Sequence, residues 1–376
     1  MDEQYMRQAL HISQYAIGRT SPNPLVGAVI VKDGRVVGQG WHKQAGTPHA
    51  EIHALAQAGE LSKGSTIYVT LEPCSHHGRT GPCTDALINA GIARAVIAMT
   101  DPNPLVAGKG IEKLRDAGIR ISEGVLAADA AKINEVFLKW ISCKIPFVAL
   151  KTAMTLDGKI ATHTGNSKWI TGAKSRQRVH EYRDTYDAIM TGVGTVIEDN
   201  PELTTRLETK GKNPTRIIVD SKGRIPLNSK IITDKSAPTI IAVTAQAAAD
   251  KIKSLEAEGI EVIIVSEKNG RVDLSRLLRE LGNRRLTSIL LEGGAELNAS
   301  MLNENLVDKI HCFIAPKIIG GSSAPGPVGG QGVATLDYAY LLEDINSEVI
   351  DDDILITAYL RNREGRDVYR TCGRIG

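Results

Sequence analysis

Aromatic side chains are scarce in this 376-residue chain, at 4% of all residues, which argues against a surface built to stack exposed nucleobases. Charge of one sign is missing too: the net charge is only +2, so no general pull toward nucleic acid or membrane is expected. Nowhere do 18 consecutive apolar residues occur, which excludes an ordinary membrane-spanning helix. The opening "MDEQYMRQALHISQYAIG" has no basic-then-apolar signal pattern, and a cytoplasmic location is expected. Cysteine is limited to five residues, which in a reducing compartment read as ligands or core residues rather than disulfides.

What remains is an ordinary globular composition, 42% hydrophobic and 23% charged. The chain is too long for one core, so two domains are the natural expectation. "LVGAVIVKDGRVVGQGWH" reads as two strands joined at Asp33-Gly34. Strand and helix patterns then alternate through "STIYVTLEP", "ARAVIAM", "GIEKLRDAG" and "IRISEGV", predicting a sheet with helices on both faces. Near Ile145-Pro146 the rhythm restarts with "FVALKTAM", "AIMTGVG", "TRIIVD", "PTIIAVT", "EVIIVS" and "SILLEGG". A late pair, "DKIHCFIAP" and "DDILITAYL", predicts that this second sheet ends in antiparallel strands. We therefore expect α/β domains at 1–145 and 146–360, followed by a polar tail at 361–376.

In the first half His49, Cys74 and Cys83 offer the nitrogen and sulfur donors that zinc prefers. A structural site would want four ligands, whereas three leave a position for water. Glu51, two residues past His49, is free to shuttle a proton. His-x-Glu followed by Pro-Cys…Cys is the pattern of zinc nucleobase deaminases, here His49-Ala50-Glu51 and Pro73-Cys74…Cys83. Eight residues separate the cysteines where the common form has two, so "SHHGRTGP" must loop out. His53, His76 or His77 could each replace a ligand, and His53 reads more simply as a packing residue.

The second half lacks a G-x-G-x-x-G fingerprint. Two weaker phosphate-binding turns stand in its place, "LLEGGAELNASML" and "TGVGTVIEDNP". Lys222 and Arg224 in "VDSKGRIP" are candidates for a 2′-phosphate or simply a basic surface turn.

Taken together these segments resemble the bifunctional riboflavin biosynthesis deaminase–reductase family. "SPNPLVGAVIV", "PHAEIHAL", "TLEPCSHHGRTGPCTDALI" and "DPNPLVAGKG" match its deaminase half, longer cysteine spacing included. "LKTAMTLDGKIAT", "SKWITG", "DAIMTGVGTVIEDNPELTTR", "LLEGGAELNASML" and "IAPKIIGG" match its reductase half. The resemblance implies a cytidine-deaminase-like three-layer domain followed by a dihydrofolate-reductase-like domain. It implies Zn2+ on His49, Cys74 and Cys83, with Glu51 as proton shuttle, and a pyrimidine site at Asn23, His42, His76, Asp101 and Asn103. For the second half it implies NADPH at Ala153, Trp169, Thr195, Asp199, Ser221 and the turn of Gly294, Ala295, Glu296, Leu297, Asn298, Ala299 and Ser300. Its substrate positions are Lys151, Ser167, Arg183, Leu203, Arg206 and Glu292.

The implied reactions are deamination of a phosphoribosylaminopyrimidine, then reduction of its ribosyl group to ribityl. The expected partners are these small molecules, without nucleic acid or membrane, and a homo-oligomer is left open. Two rivals stand: a deaminase for another nucleobase with an incidental second domain, and a non-catalytic nucleotide-binding protein with structural zinc.

Overall fold

The computed structural model describes residues 1–76, 81–103, 106–209 and 211–361. His77 and all but the first residue of the polar tail lie outside them. The chain divides into two compact units, with the break between Cys143 and Lys144.

The first unit is built on strands β1 (Gly27–Lys32), β2 (Arg35–Trp41), β3 (Thr66–Val69), β4 (Arg94–Ile97) and β5 (Arg120–Glu123). They pair in the order β2-β1-β3-β4-β5. β3, β4 and β5 run parallel, and β1 is antiparallel to both its neighbours. The β1–β2 hairpin closes as the sequence predicts, with Asp33 at φ 50 and Gly34 at φ 74. Two successive positive φ values are what a tight primed turn demands.

Alternation along the strands sends side chains to two cores. Ala28, Ile30, Ile67 and Ile97 meet α2 (Ala50–Ala58), α3 (Cys83–Asn89) and α4 (Lys109–Asp116) through Ala54, Leu87 and Leu114. Val29, Tyr68 and Val96 meet α1 (Asp2–Ser13) and α5 (Ala127–Ile133) through Met6, Leu10 and Ala130. This is a three-layer sandwich; α6 (Glu135–Cys143) ends the unit. Helix α2 lies almost on the backbone of β2: a Cβ added to Gly40 would stand 2.4 Å from the Ala50 carbonyl oxygen and 2.5 Å from His53 Cβ. That close approach, open only to glycine, sets the height of the helix start that carries His49 and Glu51.

The second unit holds β6 (Phe147–Thr155), α7 (Ala173–Thr185), β7 (Ala188–Gly192), α8 (Val193–Asp199), β8 (Thr215–Val219), α9 (Lys230–Thr233), β9 (Thr239–Val243), α10 (Ala249–Ala257) and β10 (Glu261–Ile264). A small hairpin, β11 (Glu267–Lys268) and β12 (Arg271–Val272), follows. Then come α11 (Leu274–Asn283), β13 (Ser288–Leu291), α12 (Ala295–Asn303), β14 (Lys309–Ala315), β15 (Leu342–Ile350) and β16 (Asp353–Leu360). Nine strands form one sheet, β10-β9-β8-β7-β13-β6-β14-β16-β15. It is parallel as far as β14, and β16 and β15 then run antiparallel. The expected antiparallel ending is present, but β15, "LEDINSEVI", was not foreseen. Only its last residue is buried, so packing leaves no alternating signature in its sequence.

Cys74, Cys83 and Cys312 are free thiols. No helix among the described residues is long and apolar enough to cross a membrane.

Candidate active sites

His49 is the N-cap of α2, which puts Glu51 in the first turn of that helix. Cys83 opens α3, immediately after its N-cap Pro82. The ligand atoms of His49, Cys74 and Cys83 all lie within 4.8 Å of one another, and His49 Nδ1 is 3.2 Å from Cys83 Sγ and 3.6 Å from Cys74 Sγ. Zinc bonds of about 2.0–2.3 Å in a tetrahedron require edges of about 3.6 Å, so the donor set fits that ion. Proton sharing with the Cys83 thiol holds the Cys74 thiol down to about 4, although burial opposes this. The same pairing, with burial, pushes Cys83 up.

Glu51 is only 3% exposed, and its Oε2 has no hydrogen-bond partner. Burial raises its pKa, with His49 opposing. An unpartnered buried carboxyl oxygen beside three soft donors fits a group that handles protons.

Other predicted residues gather around this centre. The His42 ring stands edge-on to His49, with centroids 5.3 Å apart. His42 Nδ1 faces the Pro48 carbonyl oxygen at 3.3 Å, and its Nε2 lies 3.1 Å from Asn23 Nδ2. This network assigns the proton to Nδ1 and makes Nε2 the acceptor. Burial lowers the His42 pKa, which favours the neutral ring. Burial likewise lifts Asp101 to about 6, and its carboxyl also feels the charges of His76 and Cys74. Asp101 Oδ1 accepts the Asn103 N–H at 2.9 Å. His76 is exposed at the rim.

One residue escaped sequence reasoning. Glu72, 4% exposed and two residues before Cys74, accepts N–H bonds from Asp101 and Gly108 on one oxygen and from Gly110 and Ile111 on the other, at 2.8 to 3.3 Å. It thereby ties the cysteine strand to the Asp101 turn and to the start of α4. Both oxygens are needed as acceptors, so Glu72→Gln turns an NH2 group toward amide donors. We expect the first unit to lose about 1–3 kcal/mol of stability, with ammonia release reduced and the second unit's melting unchanged. Separate thermal transitions recorded by calorimetry check this.

The second unit centres on Glu292, which follows β13. Arg183 of α7 grips its carboxylate with Nε at 2.7 Å and Nη2 at 3.0 Å, and Lys151 of β6 lies 3.5 Å away. Burial would raise the Glu292 pKa, but Arg183 and then Lys151 overrule it and hold it down to about 2. Arg183 Nη1 also donates to the Thr204 carbonyl oxygen at 3.0 Å. Leu203, next to it, is buried at φ 53, a backbone state that bulky residues rarely adopt outside functional sites. Arg206 is mostly exposed and pairs with Glu202 at 2.9 Å.

A cavity of about 1030 Å³ lies over the carboxyl ends of β7 and β8, lined by Ser221, Glu296, Leu297, Ala299 and Ser300 among others. Gly294 caps α12, and a Cβ there would sit 3.2 Å from Thr195 Oγ1. One helix turn on, the buried Asn298 Oδ1 has no partner. Helix-start amides at such a turn fit the phosphate of a phosphorylated cofactor. Gly294, Ala295, Asn298, Thr195 and the exposed Asp199 are not among the residues that line the cavity. Ala153 packs into the core with Val179 and Phe313. Ser167 and Trp169 lie in the segment before α7, where the Arg176 guanidinium covers the 63%-exposed Trp169 ring at 4.8 Å.

These two units define a class: a cytidine-deaminase-like zinc unit joined in one chain to a nucleotide-binding α/β reductase unit. The family model described as RibD C-terminal domain matches residues 146–356, and that described as cytidine and deoxycytidylate deaminase zinc-binding region matches residues 1–99. The chain is 46% identical to riboflavin biosynthesis protein RibD of Actinobacillus pleuropneumoniae over 94% of each chain. To its counterpart in Aquifex aeolicus it is 44% identical, over 95% of this chain and 98% of that one. Among solved structures, Acinetobacter baumannii RibD superposes with a TM-score of 0.87 at 37% identity, over 96% of this chain and 99% of that one. A diaminohydroxyphosphoribosylaminopyrimidine deaminase/5-amino-6-(5-phosphoribosylamino)uracil reductase from Thermotoga maritima gives 0.84 at 38%, with the same coverage. The chain belongs to the RibD family.

Proposed function

We propose that this chain performs two successive steps of riboflavin biosynthesis. The first is hydrolytic deamination of 2,5-diamino-6-ribosylamino-4(3H)-pyrimidinone 5′-phosphate. The second is NADPH-dependent reduction of the ribosyl side chain to ribityl. The observation that carries the reading is the unpartnered, buried Glu51 carboxyl beside the His49, Cys74 and Cys83 donor set.

His49, Cys74 and Cys83 hold the ion, and zinc bound there supplies an activated water nucleophile. Glu51 takes the proton from the attacking water and hands it to the departing amine, a task suited to a carboxyl whose pKa burial has raised. Asn23 and His42 orient the pyrimidine, and Asp101, Asn103 and His76 form its rim.

In the second unit NADPH supplies the hydride. Glu292, kept ionised by its cations, holds the opened sugar but has no proton to give. That supports Lys151 as the proton donor. Arg183 orients Glu292, Leu203 shapes the turn beside it, and Ser167 and Arg206 bind the rest of the substrate. Ala153, Trp169, Thr195, Asp199, Ser221 and the turn from Gly294 to Ser300 receive the cofactor. We assign deamination to residues 1–145 and reduction to residues 146–360.

A cytoplasmic location fits substrates and a cofactor that are phosphorylated and soluble. The near-neutral charge supports small molecules over nucleic acid as partners. A homo-oligomer is supported by β15, an edge strand with Ile345 and Val349 exposed at 64% and 73%. Sedimentation gives its size.

Mass analysis of products from the aminopyrimidine phosphoribosyl substrate tests the whole scheme. Without NADPH the amino group should be exchanged for oxygen; with NADPH the product should also gain two hydrogens. Deamination of free cytosine derivatives in preference would favour the rival nucleobase enzyme.

A further inference from the structure

Among the described residues Arg216, on β8, is the largest side chain that is fully buried, and no step proposed above uses it. Every N–H of its guanidinium is taken. Nε donates to Thr239 Oγ1 at 2.9 Å. Nη2 donates to the carbonyl oxygens of Asp234 and Ala237 at 2.6 and 2.9 Å. Nη1 donates to the Glu202 carbonyl oxygen at 3.3 Å and lies 3.4 Å from Asp234 Oδ2.

Packing does not explain a cation there. Its ion-pair partner among the described residues is the Asp234 carboxylate, 33% exposed and 3.4 Å away. A guanidinium shut in with so hydrated a counter-ion costs more than it returns, and an apolar chain of similar size would fill the space at least as well. Most of its contacts tie β8 to Thr239 and to the loop of Asp234 and Ala237. The remaining one, to Glu202, leads to the reductase site.

Glu202 precedes Leu203, whose side chain is packed among Val196, Ile218 and Ile231. A leucine so buried has only its backbone to offer a substrate. Its φ of 53 is a state that a bulky residue leaves unless the neighbouring peptides are held. Arg183 grips the Thr204 carbonyl oxygen at 3.0 Å, Asn213 Oδ1 accepts the Thr205 N–H at 2.9 Å, and His180 Nδ1 accepts the Arg206 N–H at 3.3 Å. The peptide between Glu202 and Leu203 differs. Arg216 pins its carbonyl oxygen, while its N–H has no partner among the described residues. The C=O and N–H of a trans peptide point in opposite directions, so the buried guanidinium turns the Leu203 N–H away from itself.

Building on the reductase reading above, we propose that Arg216 is a positioning residue for the reduction step, aiming the Leu203 N–H at an oxygen of the pyrimidine substrate. A carbonyl bonded to a cation also polarises its peptide, which makes the N–H at the other end a better donor. The substrate meets a donor that is already fixed, so little ordering of the chain is left for binding to drive. Arg216 itself touches no substrate; the peptide stands between them.

Steady-state reduction of the deaminated pyrimidine by full-length variants tests this. Arg216→Met should raise the KM for the pyrimidine about tenfold, the weight of one hydrogen bond to a charged group, with kcat within about threefold of wild type. The KM for NADPH should stay within about twofold, and ammonia release should be unchanged. Arg216→Lys keeps a cation without the planar fork and should show the same pattern more weakly, which preserves the test if Arg216→Met does not fold. Asp234→Ala removes the counter-ion but not the Glu202 bond; it should lower the melting of the second unit and leave the pyrimidine KM at the wild-type value. An unchanged pyrimidine KM in a folded arginine variant, equal rises in both KM values, or the same rise in Asp234→Ala overturns the proposal, because each marks a structural tie and not an aimed donor. Wild-type protein that reduces no pyrimidine removes the reductase reading itself, and this proposal with it.

Discussion

Glu51→Gln should reduce ammonia release by about 10²- to 10⁴-fold, the range that a positioned proton-transfer group contributes. The glutamine keeps the shape of the side chain but can neither take a proton from water nor return it to an amine. It is not one of the three soft donors, so zinc content measured by atomic absorption should equal that of wild type. Burial of a neutral amide also costs less than burial of a carboxylate, so the first unit should fold at least as well. Reduction of the separately supplied deaminated pyrimidine should continue at the wild-type rate. Retained deamination in this variant would falsify the assignment of Glu51 as the proton shuttle.

Arg183→Ala should strike the second unit instead, destabilising it by about 3–5 kcal/mol. Removing the guanidinium leaves the Glu292 carboxylate buried, with only Lys151 at 3.5 Å and without its two shorter bonds. Linkage gives an independent check. In the folded protein Glu292 is held down from an ordinary 4.5 to about 2, chiefly against burial and by Arg183. Its contribution is therefore complete above pH about 4.5 and is lost as pH falls toward about 2, worth about 3 kcal/mol over that window. The variant should lose NADPH-dependent reduction, keep ammonia release, and show a shallower acid dependence of second-unit melting. Arg183→Lys restores the charge without the fork and should recover stability only in part. Wild-type melting in Arg183→Ala would show that the pair does not hold this site.

The two centres were legible to different degrees. The Asp33-Gly34 turn is specified within two residues, because turn chemistry is local. His49, Glu51, Cys74 and Cys83 could be named together because their residue types carry one chemistry, however far apart they stand. Glu72 could not: a lone glutamate before a proline looks solvated until its four amide donors, 29 to 39 residues away, are brought to it.

The sequence by itself determined the strands with buried faces, the turns and the zinc donor set, since periodicity, φ preference and donor chemistry are properties of single residues and their near neighbours. Only the tertiary structure decided that Arg183 meets Glu292 across 109 residues and that β15 closes the sheet. It alone also brought the turn at Lys222 to the cavity beside α12. Such meetings depend on the order in which strands pair, and pairing energy is shared among many residues, so no single segment records its partner.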